Sequence, residues 1–207
     1  NLGKEHHKYA SCINNLATLY QHLGSFEQAE LLFLENKNIR LKTQGKEHPG
    51  YATSLSHLGL LYQEIGRYSL VEPLLLEAKK IRGKVLGKKH YYYAKSLNNL
   101  AYFYKRKGEF LKAEILYLEA LGIKGEVMGM EHSGYAVCLN NLAALYQVMG
   151  RNEHAEKLYL ETIKIASKVL GNEHPDRARY LKNLAVFYKS TNRLEIAFDY
   201  CMASIEA

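Results

Sequence analysis

Gly45-Lys46-Glu47-His48 is one copy of a short motif that recurs along this 207-residue chain. The other copies also begin with glycine and end with histidine, and they lie at residues 3–6, 87–90, 129–132 and 171–174. The period is 42 residues throughout, without an insertion. A fixed period of this length is the signature of an architecture in which every repeat is one supersecondary unit. We therefore expect one array over residues 1–207, with repeats one to five at about 3–44, 45–86, 87–128, 129–170 and 171–207.

Each repeat is predicted to contain two helices. In repeat one, Ile13, Leu16, Ala17 and Tyr20 follow the i, i+3, i+4, i+7 spacing of one helical face. Gly24 stands where that helix should end, since glycine is common just past a helix terminus. The equivalent residues are Gly66, Gly108, Gly150 and Asn192, and all of them suit a left-handed backbone. The predicted A helices are 8–22, 50–64, 92–106, 134–148 and 176–190, and the B helices are 26–43, 68–85, 110–127, 152–169 and 194–207.

The composition excludes several classes of protein. Hydrophobic residues make up 47% and charged residues 24%, so the chain can bury a core and is not disordered. Its longest apolar runs, such as 74–76, are far too short to span a bilayer. Three cysteines do not look like a disulfide framework, which favours a reducing compartment and a cytoplasmic location. We expect Cys12, Cys138 and Cys201 to be small core residues.

The repeats resemble the tetratricopeptide repeat. The residues that carry this resemblance are Leu100, Ala101, Tyr104, Gly108, Ala113 and Ala120 in repeat three, and Leu142, Ala143, Tyr146, Gly150 and Ala155 in repeat four, where Thr162 replaces the last alanine. The Leu-Asn-Asn-Leu-Ala segments at 97–101 and 139–143, with the Gly-x-Glu-His-Pro turn, are similar to the kinesin light chain subgroup. The resemblance implies an all-α, right-handed α-solenoid of five tandem helix-turn-helix units, with a concave groove lined by the A helices. Both ends of the chain remain in repeat phase, so we expect it to be a fragment of a longer protein.

One stripe of each A helix is predicted to face the groove. We call it the groove stripe: residues 11, 14, 18 and 21 of repeat one and the equivalents of these four in later repeats. Residue 22 and its equivalents lie beside the stripe. Three asparagines share one stripe position, and the resemblance implies that they hold the backbone of a bound peptide. Lysines and arginines concentrate on the stripe in repeats three and five, which favours an acidic ligand. The predicted peptide-binding residues are Asn14, Asn98, Asn140, Lys95, Tyr102, Lys105, Arg106, Arg179, Lys182 and Lys189.

A structural role explains several other regularities better than a chemical one. The repeated histidines (His6, His48, His90, His132, His174) should lie one helix layer apart, about 10 Å or more, which is too far for shared zinc ligation. The second asparagines (Asn15, Asn99, Asn141, Asn183) are predicted to satisfy backbone groups between helices. The repeated carboxylates (Glu30, Glu72, Glu114, Glu156) are predicted to be structural or surface groups. No metal or cofactor is predicted.

The functional hypothesis is a non-catalytic scaffold that binds an extended, acidic peptide of a partner protein. No nucleophile–base arrangement, phosphate-binding glycine loop or zinc-helix motif occurs in the sequence, so we do not predict an enzyme. The net charge of +7 permits nucleic-acid binding, but acids alternate with bases on most helices and argue against it. The alternative is a spacer or self-association array that regulates an effector domain, with end-to-end contacts between copies.

Overall fold

The computed structural model describes residues 7–171 and 173–205. These residues form ten α-helices and no strand. The A helices are α1 (His7–His22), α3 (Pro49–Glu64), α5 (Tyr91–Lys107), α7 (Ser133–Val148) and α9 (Pro175–Ser190). The B helices are α2 (Phe26–Gln44), α4 (Tyr68–Val85), α6 (Phe110–Met128), α8 (Asn152–Leu170) and α10 (Leu194–Ile205).

The predicted all-α fold of five helix pairs is confirmed, and the predicted helix ends agree with the structure within one residue wherever they are described. Pro49 and Pro175 occupy first-turn positions, where a missing backbone donor costs nothing. The backbone is left-handed at the glycine after each A helix, and Asn192 takes this conformation in repeat five with a φ of 60°. The first turn motif (residues 3–6), residue 172 and the last two residues of the predicted final helix lie outside the described residues.

The chain divides into two compact units, Asn1–Phe103 and Tyr104–Ala207. In the N-terminal unit, α1 packs on α2, α2 on α3, and α3 on α4. A typical part of its core joins Tyr51, Ala52 and Leu55 of α3 to Ala78 and Ile81 of α4. The small alanines let the two helix axes approach closely, and the larger side chains fill the space between them.

The C-terminal unit repeats this arrangement. There α6 packs on α7, α7 on α8, α8 on α9, and α9 on α10. One core cluster joins Tyr135 and Leu139 of α7 to Ile165 of α8 and Tyr180 of α9. A second gathers Tyr159, Phe187 and Tyr188 around two alanines that are completely buried, Ala143 and Ala155. Each helix pair thus buries its apolar face against the next pair.

The repeated glutamates bind the following repeat. Glu156 accepts hydrogen bonds at 2.9 Å from the Tyr188 hydroxyl and from the guanidinium of Arg193. Glu30 is bound in the same way by Tyr62 and Arg67, and Glu114 by Arg151 at 2.6 Å. Burial, with help from the bond to Glu30, raises the pKa of Tyr62 to about 12. The structural role predicted for these three carboxylates is confirmed.

The cysteine prediction is correct for Cys138 and wrong for the other two. Cys138 is buried, whereas Cys12 and Cys201 are exposed. Their equivalents in the middle repeats are covered by a neighbouring repeat. Among the described residues, no helix precedes α1, which holds Cys12, and none follows α10, which holds Cys201.

No helix of the described residues combines the length and the apolarity needed to cross a membrane.

Candidate functional site

The repeated histidines cap the A helices. In α3, α5, α7 and α9 the Nδ1 atom accepts a hydrogen bond of 2.9–3.1 Å from the backbone N–H two residues later. This bond satisfies one of the donors that a helix N-terminus leaves open. The Nδ1 lone pair, which would have to bind a metal ion, therefore already accepts a hydrogen bond from the helix backbone. The structural role predicted from sequence agrees with this geometry for His48, His90, His132 and His174, while His6 lies outside the described residues.

The groove stripe is partly covered in the interior A helices. In α3, Ser56 and Gln63 are buried, and Thr53 and Leu60 are half-buried. In α7 Asn140 is buried, while the other stripe positions are half-buried. In contrast, all four stripe positions of α9 are exposed. The stripe therefore offers different amounts of accessible surface in different repeats.

The two asparagine positions of successive repeats bond to each other. Asn183 donates from Nδ2 to Oδ1 of Asn140 at 2.9 Å. In repeat two a histidine takes the second position, and its Nδ1 lies 2.5 Å from Oδ1 of Asn14. Asn14 and Asn140, both predicted to hold a ligand, thus accept a hydrogen bond from the next repeat. The second position is structural in Asn183, but it binds a side-chain amide and not the backbone groups that were predicted. Asn15 is exposed.

Two buried amide groups lack the partners that their equivalents have. In repeat four, Gln147 accepts from the Tyr159 hydroxyl at 2.9 Å and donates to Ser190 at 3.1 Å. The equivalent Gln63 is 3% exposed, and neither polar atom of its side chain has a hydrogen-bond partner among the described residues. The reason lies in the sequence, since Leu75 stands where repeat four has Tyr159. Asn99 likewise has an unpaired, buried Nδ2, because Ser56 stands at the position where Asn183 finds its partner Asn140.

Replacing Gln63 by methionine should raise the free energy of unfolding by about 1 kcal/mol, because it removes two unsatisfied buried atoms at nearly constant volume. The same change at Gln147 should lower it by about 1–2 kcal/mol, because the Tyr159 hydroxyl then loses its acceptor. Urea denaturation of both variants tests this difference. Equal destabilisation by the two substitutions would show that Gln63 makes a favourable interaction in the folded chain.

The predicted cations lie on two helices, α5 and α9. On the N-terminal unit's part of α5, Lys95 and Tyr102 are exposed and Asn98 is half-buried. On the C-terminal unit's part, Arg106 is exposed, but Lys105 is half-buried and its pKa is lowered by burial and by the charge of Arg106. The exposed cations of α9 are Arg179, Lys182 and Lys189. Arg179 pairs with Asp176 at 2.8 Å.

Two cations of the N-terminal unit, the buried Arg82 and the half-buried Arg40, were not predicted from the sequence. Arg82 is 2% exposed and donates to Ser96 at 2.7 Å and to Thr53 at 3.2 Å. Arg40, its equivalent one repeat earlier, donates to Asn36. Burial, and then the charges of Lys95, Arg82 and Arg40, lower the pKa of His57. A base recurs before three of the turns (Arg40, Arg82, Lys124), and this recurrence was a visible signal of these positions.

The comparisons with known proteins agree with this geometry. A tetratricopeptide repeat model matches residues 9–84 and 134–207, and a second one matches residues 94–133. The chain therefore belongs to the tetratricopeptide repeat family. Such repeats generally act as protein-interaction scaffolds, and the family is generally non-enzymatic. No curated protein sequence matches the chain.

Solved structures specify the subgroup. The chain is 27% identical to the nearly identical TPR-like repeats of a putative kinesin light chain from Podosopora anserina, with a TM-score of 0.72 over 96% of this chain and 94% of that chain. It is also 27% identical to BtubC (BKLC) from P. vanneervenii, with a TM-score of 0.74 over 93% of this chain and 76% of that chain. PilF of Pseudomonas aeruginosa, at 14% identity and a TM-score of 0.64 over 96% of this chain and 76% of that chain, shares the fold alone. The kinesin-light-chain-like character predicted from the Leu-Asn-Asn-Leu-Ala segments and the Gly-x-Glu-His-Pro turn is confirmed.

Proposed function

We propose that the A helices bind an extended, acidic segment of a partner protein, and that the chain is a cytoplasmic scaffold without catalytic activity. The exposed stripe of α9 carries this proposal. Lys182 and Lys189 lie seven residues apart on one helical face, with Val186, which is 52% exposed, between them. An apolar side chain between two accessible cations suits a ligand whose acidic residues flank an apolar one.

Charge in the other repeats supports the same ligand chemistry. Lys95 and Arg106 are exposed on α5, and Tyr102, which is 38% exposed, offers an aromatic contact. On the groove stripe and the position beside it, Glu64 is the one carboxylate, and Gln21 donates to it at 2.5 Å. The excess of positive charge on these positions therefore lies in the C-terminal unit, whereas Glu64 offsets Lys95 in the N-terminal unit.

The asparagines have a narrower role in this proposal than their pattern predicts. The Oδ1 atoms of Asn14 and Asn140 already accept hydrogen bonds from the next repeat. This leaves Nδ2 as the atom with which each amide could donate to a peptide carbonyl. The pairs also fix the orientation of the amide, so a ligand would meet a positioned donor rather than a rotating one.

The proposal predicts that Lys182→Glu/Lys189→Glu weakens binding of an acidic peptide about tenfold or more, because two exposed attractions become repulsions. The probe is a short fluorescent peptide of alternating Glu and Leu, with Gln/Leu and Lys/Leu peptides of equal length beside it. Lys182 and Lys189 suit the experiment better than Lys105. Because Lys105 is half-buried, its substitution would change the stability of the fold as well as the affinity for the peptide. Anisotropy should rise for the acidic peptide, and rise less as salt is added.

The matched control is Lys157→Glu/Lys164→Glu on α8, which has the same spacing, exposure and change in net charge. It should bind the acidic peptide as the unaltered chain does, apart from a small long-range effect. If both double variants lose binding equally, net charge alone attracts the peptide and the stripe is not a site. If no peptide binds, the alternative of a spacer or self-association array gains support.

A further inference from the structure

Helix α6 carries an apolar seam on its solvent side. Leu111, Ile115 and Leu118 are 69%, 65% and 47% exposed. Their spacings of four and three residues are those of the d and a positions of a heptad. The next position in this pattern is Gly122, which is exposed, and a Cβ atom added there would meet no atom within 4 Å. We call these four residues the α6 seam.

The seam lies on the side of α6 opposite to its buried residues. The buried residues of α6 are Ala113, Tyr117, Ala120 and Lys124. Each lies two positions after a seam residue, which is about 200° around the helix. The helix therefore buries one side within the chain and presents an apolar stripe on the opposite side. An exposed contiguous apolar patch usually marks an interaction surface.

The other B helices carry polar or mixed residues at these positions. The equivalents of the first three seam residues are Glu27, Leu31 and Leu34 in α2, Ser69, Pro73 and Leu76 in α4, Glu153, Lys157 and Leu160 in α8, and Glu195, Asp199 and Met202 in α10. Within the described residues, α6 is thus the B helix with an apolar side chain at all three positions. The repeat fold does not require this, because the other four helices form without it.

We propose that the α6 seam is a homodimer interface, in which α6 packs antiparallel on α6 of a second copy about a two-fold axis. A two-fold interface must be complementary to itself. Antiparallel pairing of the seam places Leu111 opposite the partner's Gly122, and Ile115 opposite the partner's Leu118. A large side chain thus meets the gap left by a glycine at both ends of the seam, while two branched side chains fill the centre.

The charges beside the seam favour the same orientation. Lys112 has a side chain that is 64% exposed, and Glu119 is exposed seven residues further on the same flank. Antiparallel packing brings each lysine near the partner's glutamate, twice in one dimer. Parallel packing would instead bring Lys112 near the partner's Lys107, and Glu119 near the partner's Glu114. Lys112 contacts Glu109 at 2.5 Å in the single chain. On the other flank Glu114 is held by Arg151, so it does not oppose the contact.

The area of the seam limits the affinity. A standard interface buries about 800 Å² on each partner, and four seam residues with their flanks supply only part of this. We therefore expect a weak, reversible dimer with a Kd on the order of 100 μM. The seam lies on a B helix, so the dimer does not depend on ligand binding by the A helices.

Sedimentation velocity of the whole 207-residue chain, at concentrations below and above that Kd, tests the proposal. The average mass should rise from one chain toward two chains. Ile115→Glu should remain monomeric at every concentration, and Gly122→Leu should weaken the dimer by at least tenfold without disturbing the fold. The matched control is Leu31→Glu, at the equivalent site of α2 and 68% exposed, which should dimerise like the unaltered chain.

A charge exchange tests the antiparallel orientation. Lys112→Glu and Glu119→Lys should each weaken the dimer about tenfold, and the double variant should restore it, because the opposite charges then meet again. The proposal is overturned if the unaltered chain stays monomeric throughout. It is also overturned if Ile115→Glu dimerises normally, or if the double exchange is as weak as the single variants.

Discussion

Lowering the pH from 6.5 to 4 should reduce the free energy of unfolding by about 3 kcal/mol through one side chain, His57. The pKa of His57 is lowered from 6.5 to about 4, first by burial and then by the charges of Lys95, Arg82 and Arg40. Its Nδ1 donates to Asn14, so a second proton would have to enter at Nε2, among these cations. Between the two pKa values the unfolded chain binds a proton that the folded chain does not. Stability that is fully present above pH 6.5 is therefore lost as the pH falls toward 4.

The comparison that isolates this effect is His57→Asn, since asparagine is the residue at this position in the other four repeats. It can donate to Asn14 as Asn183 donates to Asn140, but it cannot take up a proton. Urea denaturation at several pH values gives the free energy of unfolding as a function of pH. Between pH 6.5 and 4 this free energy should fall by about 3 kcal/mol less for the variant than for the unaltered chain. His22→Asn, which removes an exposed histidine, should keep the steep slope. A histidine resonance of His57 that titrates near 6.5 would contradict the account.

Replacing Arg82 by methionine should raise the free energy of unfolding by about 1–3 kcal/mol, although it removes two hydrogen bonds and a cation–π contact with Tyr92. The guanidinium is buried, and no carboxylate among the described residues forms an ion pair with it. Burial lowers the pKa of Arg82 to about 10, which reflects the cost of holding the charge there. Both hydroxyl partners also donate to backbone carbonyls, Thr53 to Pro49 and Ser96 to Tyr92. Methionine therefore fills the space and leaves no polar group unsatisfied.

Arg82→Ala is the second variant of this experiment. It removes the same charge but leaves a cavity, so it should be less stable than the methionine variant by about 2–4 kcal/mol. Repeat four has Ala166 at this position, so the fold does not require a base there. The methionine variant should also raise the pKa of His57, because one of the three nearby cations is gone. A loss of stability in Arg82→Met would show that its hydrogen bonds outweigh the cost of burial.

The helix pairs could be predicted closely because each boundary has its own local signal. A glycine in the left-handed region ends the A helix, and a histidine before the next A helix caps it. The role of that histidine was predicted only as structural, since the sequence does not show which ring nitrogen meets the backbone. The cationic face of α9 was also visible in the sequence. The i, i+3, i+7 spacing alone places the cations Arg179 and Lys182 on one face of the helix, together with Val186.

The contacts between repeats could not be predicted in the same way. The period is 42 residues, but the amide pairs join residues 43 apart, because stacked A helices are offset by one position. A search at the repeat period therefore aligns Asn140 with Lys182, not with its partner Asn183. Burial of the base at Arg82 was missed for a related reason. Its hydroxyl partners lie on two different helices, and only the stacking brings them together.

The fixed separations of these contacts also bear on how such chains change during evolution. Bonds between neighbouring repeats join residues 32, 37 and 43 positions apart, and several of them recur from one repeat to another. Insertion of one residue within a helix would change the separation of every pair that spans it, and so disturb the contacts of that repeat with its neighbours. Insertion or deletion of a complete 42-residue segment would preserve every one of these separations. We therefore expect related genes to differ in length by whole repeats, with small insertions confined to the turns.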